Sequence, residues 1–211
     1  TPVRELDGKP EPSYEDVPYA ETNYATVFGP DPIVVNDLGA LRAVAVNIRD
    51  EDPDGVLPIL DEVLGSDDRP VILVGHYPLV PTREPKIHPF YGSESFLPTT
   101  QSDLLTLVTR HPNVVVYACG HVHVNSVRPL SDRCTQITAG SVGQGAATYR
   151  VYDISEATSG SMSGSMSGST SGFTLTYGTA LGSGPLAFWP GAPSVEFHLG
   201  EGSERTGELT F

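Results

Sequence analysis

In 211 residues this chain has no histidine before His76, only two lysines (Lys9 and Lys86), two cysteines and one tryptophan. Two cysteines cannot build a disulfide framework, and Cys119, set in an apolar run, reads as a small buried hydrophobe. Twelve Lys and Arg against 26 Asp and Glu leave a formal charge of −14, which repels phosphate backbones and anionic lipid and excludes a nucleic-acid scaffold. No apolar run reaches the length of a membrane span, and the opening "TPVRELDGKPEPSYEDVPY" has no signal-peptide core. A soluble chain of one sizeable domain is expected, with the cytoplasm as its compartment.

Residues 1–40 are rich in proline and acids and predict an irregular lead-in, with one short strand at "YATVF" (24–28). Residues 41–48 form a β-branched apolar run expected to be a buried strand. Residues 56–64 carry apolar side chains at helical spacing, with Asp54 as the expected cap and Gly65 as the stop. "VILV" (71–74) predicts a strand buried on both faces. Residues 79–98 hold four prolines and predict a long loop. Residues 99–110 predict a helix with a hydroxyl cap and a stripe of Leu104, Leu105 and Val108, with His111 serving the dipole at its carboxyl end. "VVVYAC" (114–119) is the next buried strand. This alternation predicts an α/β sheet.

Beyond it, residues 134–138, 147–154 and 173–177 alternate polar and apolar side chains and predict antiparallel strands with one wet face. The Ser/Gly-rich low-complexity stretch 157–172 predicts an expanded hairpin loop. A C-terminal β tail is expected over 181–211, with strands at 194–198 and 208–211.

Two motifs carry chemistry. "VILVGHYPL" and "VVVYACGHVH" each place Gly-His directly after an apolar strand, and in open α/β sheets ligands bind at that edge. His121 and His123 stand one residue apart, so an extended backbone would project both imidazoles to one side. With His76 they make a three-imidazole metal-site pattern, Gly120 keeping the turn uncrowded.

"GHYPL" (75–79) followed by "GHVH" (120–123) resembles the last two motifs of the calcineurin-like metallophosphoesterases, a family that includes purple acid phosphatases and class III phosphodiesterases. "ITAGSVGQ" (137–144) resembles the Gly-Ser turn many members carry next. The resemblance implies an αββα sandwich with a two-metal centre of manganese, iron or zinc. By motif, His76 and His121 would bind one metal and His123 the other. The implied activity is hydrolysis of a small-molecule phosphomonoester or phosphodiester by a metal-held hydroxide. Substrate-side candidates are Tyr77, beside the strand end, Arg83, whose guanidinium can fork onto phosphate oxygens, and His88, which the resemblance implies as a possible acid or base.

The resemblance spans about residues 20–180. The family's earlier motifs, Asp-X-His, Gly-Asp and Gly-Asn-His, do not occur in residues 1–75. The expected fold is therefore an incomplete sandwich lacking the N-terminal strands and their carboxylates. Three neutral histidines cannot offset two divalent cations, so one metal or none is expected here, with activity on association with the missing N-terminal half. A non-catalytic metallophosphoesterase-like binding module with at most one structural metal is the alternative, and a three-histidine zinc hydrolase a third.

Overall fold

The apolar runs at 71–74 and 114–119 become neighbouring parallel strands at the middle of a six-stranded mixed sheet. The computed structural model describes residues 5–6, 9–10, 17–82, 97–142, 147–156, 172–182 and 195–211. In chain order these form β1 (Glu5–Leu6), β2 (Lys9–Pro10), α1 (Asn23–Phe28), β3 (Ile33–Asp37), β4 (Arg42–Val46), α2 (Val56–Gly65), β5 (Val71–Val74), α3 (Gln101–Arg110) and β6 (Val114–Cys119). There follow β7 (Ser126–Pro129), β8 (Thr135–Thr138), β9 (Thr148–Glu156), β10 (Phe173–Leu181), α4 (Val195–Leu199), α5 (Gly202–Arg205) and β11 (Thr206–Thr210).

The large sheet runs β3-β4-β5-β6-β8-β7, parallel from β4 through β8, with antiparallel strands at both edges. One face packs on the helices: Val56, Leu60 and Leu64 of α2, and Leu104, Leu107 and Val108 of α3, meet Val44, Leu73 and Tyr117. Burying such a side chain contributes about 1.5–3 kcal/mol. On the other face Ile72, Val116, Ala118 and Ile137 meet Phe173, Leu175 and Tyr177 of the antiparallel sheet β11-β10-β9. A register shift between Val71 and Ile72 resets the phase of β6, so that Tyr117 stands opposite Leu73 on the helix side. Among the described residues no helix is long and apolar enough to cross a membrane.

Several local expectations change. Residues 24–28 lie in a helix, because Thr22 Oγ1 accepts the Ala25 N–H as an N-cap and Gly29 takes a positive φ at the other end. An antiparallel strand, β3, precedes the strand expected at 41–48, and pairs along β4 from Ile33↔Val46 to Asp37↔Arg42. Helix α2 is capped by Asp52, whose carboxylate accepts from the Val56 and Leu57 amides, and not by Asp54, which is held by Arg49. The turn that leads into α3 likewise finds a distant carboxylate, with Asp50 accepting from the Thr99 and Thr100 amides. Val74 is 40 % exposed, so β5 is not buried on both faces to its end.

His111 does not turn back on its own helix end. Its Nε2 meets Asp61 of α2 at 2.6 Å, tying the two helices together. Strand β8 joins the main sheet between β6 and β7 and has no wet face: Gln136, Ile137 and Thr138 are all buried. The hairpin expectation holds for β9 and β10, which pair antiparallel from Phe173↔Glu156 to Leu181↔Thr148. The low-complexity stretch that joins them lies, apart from Gly172, outside the described residues, as does most of the 79–98 loop. At the C-terminus a strand forms at β11, whereas 195–199 is helical.

Candidate metal centre at the carboxyl ends of β5 and β6

Because β5 and β6 are adjacent and parallel, the residues that follow each strand emerge side by side. The ladder continues past both ends: the Gly75 N–H donates to the Ala118 carbonyl at 2.9 Å and the Gly120 N–H to the His76 carbonyl at 3.0 Å. His76 Nε2 and His121 Nδ1 consequently stand 3.2 Å apart. The Tyr77 ring packs edge-on against both imidazoles, with centroids at 4.8 and 4.7 Å.

Three polar side chains immobilise the segment that carries His76. The Tyr117 hydroxyl donates to the Tyr77 carbonyl at 2.8 Å. Gln101 Nε2 donates to the Pro78 and Leu79 carbonyls. Gln136 accepts from the Leu79 and Val80 amides through Oε1 and donates to the Val80 carbonyl through Nε2. Gly75 is required by this arrangement, since a Cβ there would stand 2.3 Å from the Tyr117 hydroxyl. At Gly120 a Cβ would meet nothing within 4 Å.

The second segment is a strained turn. The Val122 N–H donates to the Gly120 carbonyl at 2.8 Å across His121, whose φ of 67° gives the rarer, strained form of the γ-turn. His123 also has a positive φ, 58°. Each such residue costs about 1–3 kcal/mol and persists only where its surroundings over-determine it. Here they do. Val122 and Val124 are buried and pack with Phe197. Asn125, fully buried, accepts the Gly140 N–H at 3.0 Å and donates to Thr148 Oγ1 at 3.1 Å.

The histidines are electrically suited to be ligands. Burial lowers the pKa of His76. Burial, reinforced by His76 and His123 nearby, lowers that of His121 to about 4. Both imidazoles are thus neutral at neutral pH, each with one ring nitrogen free to offer a lone pair. Two nitrogens bound to one zinc-like ion at about 2.0–2.1 Å in tetrahedral geometry stand about 3.3 Å apart. The observed 3.2 Å fits a shared divalent ion as well as it fits an imidazole–imidazole hydrogen bond. The structure does not gather more: among the described residues no group of three or more His, Cys, Asp or Glu side chains is placed to hold one ion. His123 is felt by His121 electrostatically but stands outside the close pair, and Arg83 and His88 lie outside the described residues.

A cleft of about 800 Å³ opens beside His76 and Tyr77, lined among others by Asp31, Asp50, Glu51, Val34 and Val74. Local sequence pattern missed Gln101, Gln136, Asn125 and His198, whose partners lie 15 to 75 residues away.

The pair predicts a pH response. In metal-free protein His121 is expected to titrate near 4 in an NMR series, and replacing His76 with alanine should raise that midpoint. The unfolded chain takes up a proton near 6.5 that the folded chain refuses until about 4, so stability falls as the pH is lowered through that interval. A midpoint of about 6 or above with His76 in place would contradict the desolvation of His121.

The fold and site define a mixed α/β protein with a histidine pair at the carboxyl edge of its parallel strands. No family model matches the chain, and no curated protein matches it.

Proposed function

We propose that the chain carries the histidine side of a divalent-metal centre for phosphoester hydrolysis, in an αββα-type sandwich of the calcineurin-like kind. The observation that carries this reading is the 3.2 Å approach of His76 and His121 at the ends of adjacent parallel strands. The layering of helices, six-stranded sheet and antiparallel sheet supports it.

His76 and His121 would hold one ion, and His123, across the strained turn, a second. A bound divalent ion supplies Lewis acidity toward a phosphoryl oxygen and an acidified water. The chain's own part is to present neutral imidazoles, to fix their directions through Tyr117, Gln101, Gln136 and Asn125, and to back them with the Tyr77 ring. A small phosphoester would enter by the neighbouring cleft.

One observation favours a second reading, a binding module with a single structural metal. Three imidazoles bring no negative charge, among the described residues no carboxylate joins them in a group placed to hold an ion, and Asp50 of the cleft is committed to the turn before α3. Metal content and hydrolysis of p-nitrophenyl phosphate and its bis-ester separate the two. Both are measured with manganese, iron and zinc, on this chain and on the longest polypeptide that contains it. Two metals per chain with turnover is the expected result for the longer polypeptide. One metal or none, without turnover in either, would leave the binding module.

A further inference from the structure

We propose that His198 is a positioning residue that sets the direction of the His121 and His123 side chains from the opposite end of the chain. The proposal rests on the metal-centre reading for what the turn holds.

His198 lies in α4 and is 3 % exposed. Its Nδ1 stands 3.0 Å from the His123 carbonyl oxygen. A carbonyl can only accept, so this ring nitrogen carries the proton and donates. The attachment runs both ways, because the His198 carbonyl accepts the Asn125 N–H at 2.9 Å and is reached by Asn125 Nδ2 at 3.3 Å. Phe197, the preceding residue, packs against Val122 and Val124.

The positive φ at His121 and His123 turns the chain so that Val122 between them and Val124 after them point inward. L-residues relax out of that conformation unless held. The Phe197 contact holds the valines, and the His198 bond pins the one carbonyl between His123 and Val124. Rotation of that peptide group would re-aim the His123 imidazole and, through the shared turn, His121. Groups that orient metal-binding histidines change metal affinity by about 10–100-fold when removed.

Co²⁺ titration of metal-free full chain, followed by absorbance, tests this together with hydrogen exchange of the Val122 and Asn125 amides. For His198→Ala the expected result is a Co²⁺ affinity lower by about 10–100-fold, with faster exchange at those two amides and unchanged exchange in α2 and α3. His198→Asn, whose side-chain amide can occupy the Nδ1 position, should recover most of the affinity. If His198→Ala does not fold, the Asn variant still decides, since retained affinity supports the hydrogen bond. Equal loss in Ala and Asn variants would assign the effect to packed volume and overturn the positioning role. Binding left intact in His198→Ala would also overturn it, with the metal reading untouched. Absence of Co²⁺ binding by the unsubstituted chain would overturn the metal reading itself and this proposal with it.

Discussion

Replacing Gln136 with leucine is expected to cost about 3–4 kcal/mol of stability, although the two side chains are similar in volume. Gln136 is fully buried, and its amide serves the Leu79 and Val80 amides and the Val80 carbonyl. Leucine fills the space and leaves those backbone groups without partners. An unsatisfied buried group costs about 1–3 kcal/mol, and part-exposed Val80 recovers some of its loss to water. Urea unfolding measures the change. The loss should be accompanied by faster amide exchange at Leu79 and Val80, since the segment downstream of His76 is what Gln136 holds. A loss under about 1 kcal/mol would mean that these groups reach solvent freely.

Alanine at Gly75 is the second large effect, expected at about 2–3 kcal/mol. The added methyl would fall 2.3 Å from the Tyr117 hydroxyl and 3.0 Å from its ring carbon Cζ. Tyr117 is 1 % exposed and donates to the Tyr77 carbonyl, so it cannot retreat without breaking that bond and disturbing the helix-side core. Combining Gly75→Ala with Tyr117→Phe should cost less than the sum of the two, because the phenylalanine removes the atom in closest conflict. Strict additivity would show that the clash is relieved by backbone movement instead. Either way His76, one residue on, should lose its fixed relation to His121, and its ring signals in NMR should broaden.

The two glycines of the Gly-His motifs read alike in sequence and differ in the fold. Gly120 has open space around its Cα, in keeping with an uncrowded turn, whereas Gly75 is obligatory because a tyrosine hydroxyl passes beneath it. The polar residues of β8 misled in the same way. Alternation in "TQIT" predicts a wet face, but Gln136 and Thr138 are buried, with Gln136 bonded to the Leu79 and Val80 backbone and Thr138 Oγ1 beside Cys119 Sγ. Residues 194–198 read as a strand, while 195–199 is a short helix that reaches the His121–His123 turn. At β8 the cause is that hydrophobic period reads every polar side chain as wet and cannot show that a buried partner awaits it.

The sequence by itself determined the strand–helix–strand order from residue 41 to 123 and the emergence of both Gly-His motifs at strand ends. Uninterrupted apolar runs bounded by glycine and proline can do little else. It also determined that the segments of α2 and α3 are helices with an apolar stripe, while their common sheet face came from the structure. The strand–helix–strand crossover also placed β5 beside β6, and only the tertiary structure decided how closely those neighbours bring His76 and His121, to 3.2 Å. The same holds for β8 lying beside β6, and for Gln136, Asn125 and His198 supporting the turns. Those outcomes depend on hydrogen bonds between residues far apart in the chain, whose partners exist only once the sheet has closed around them.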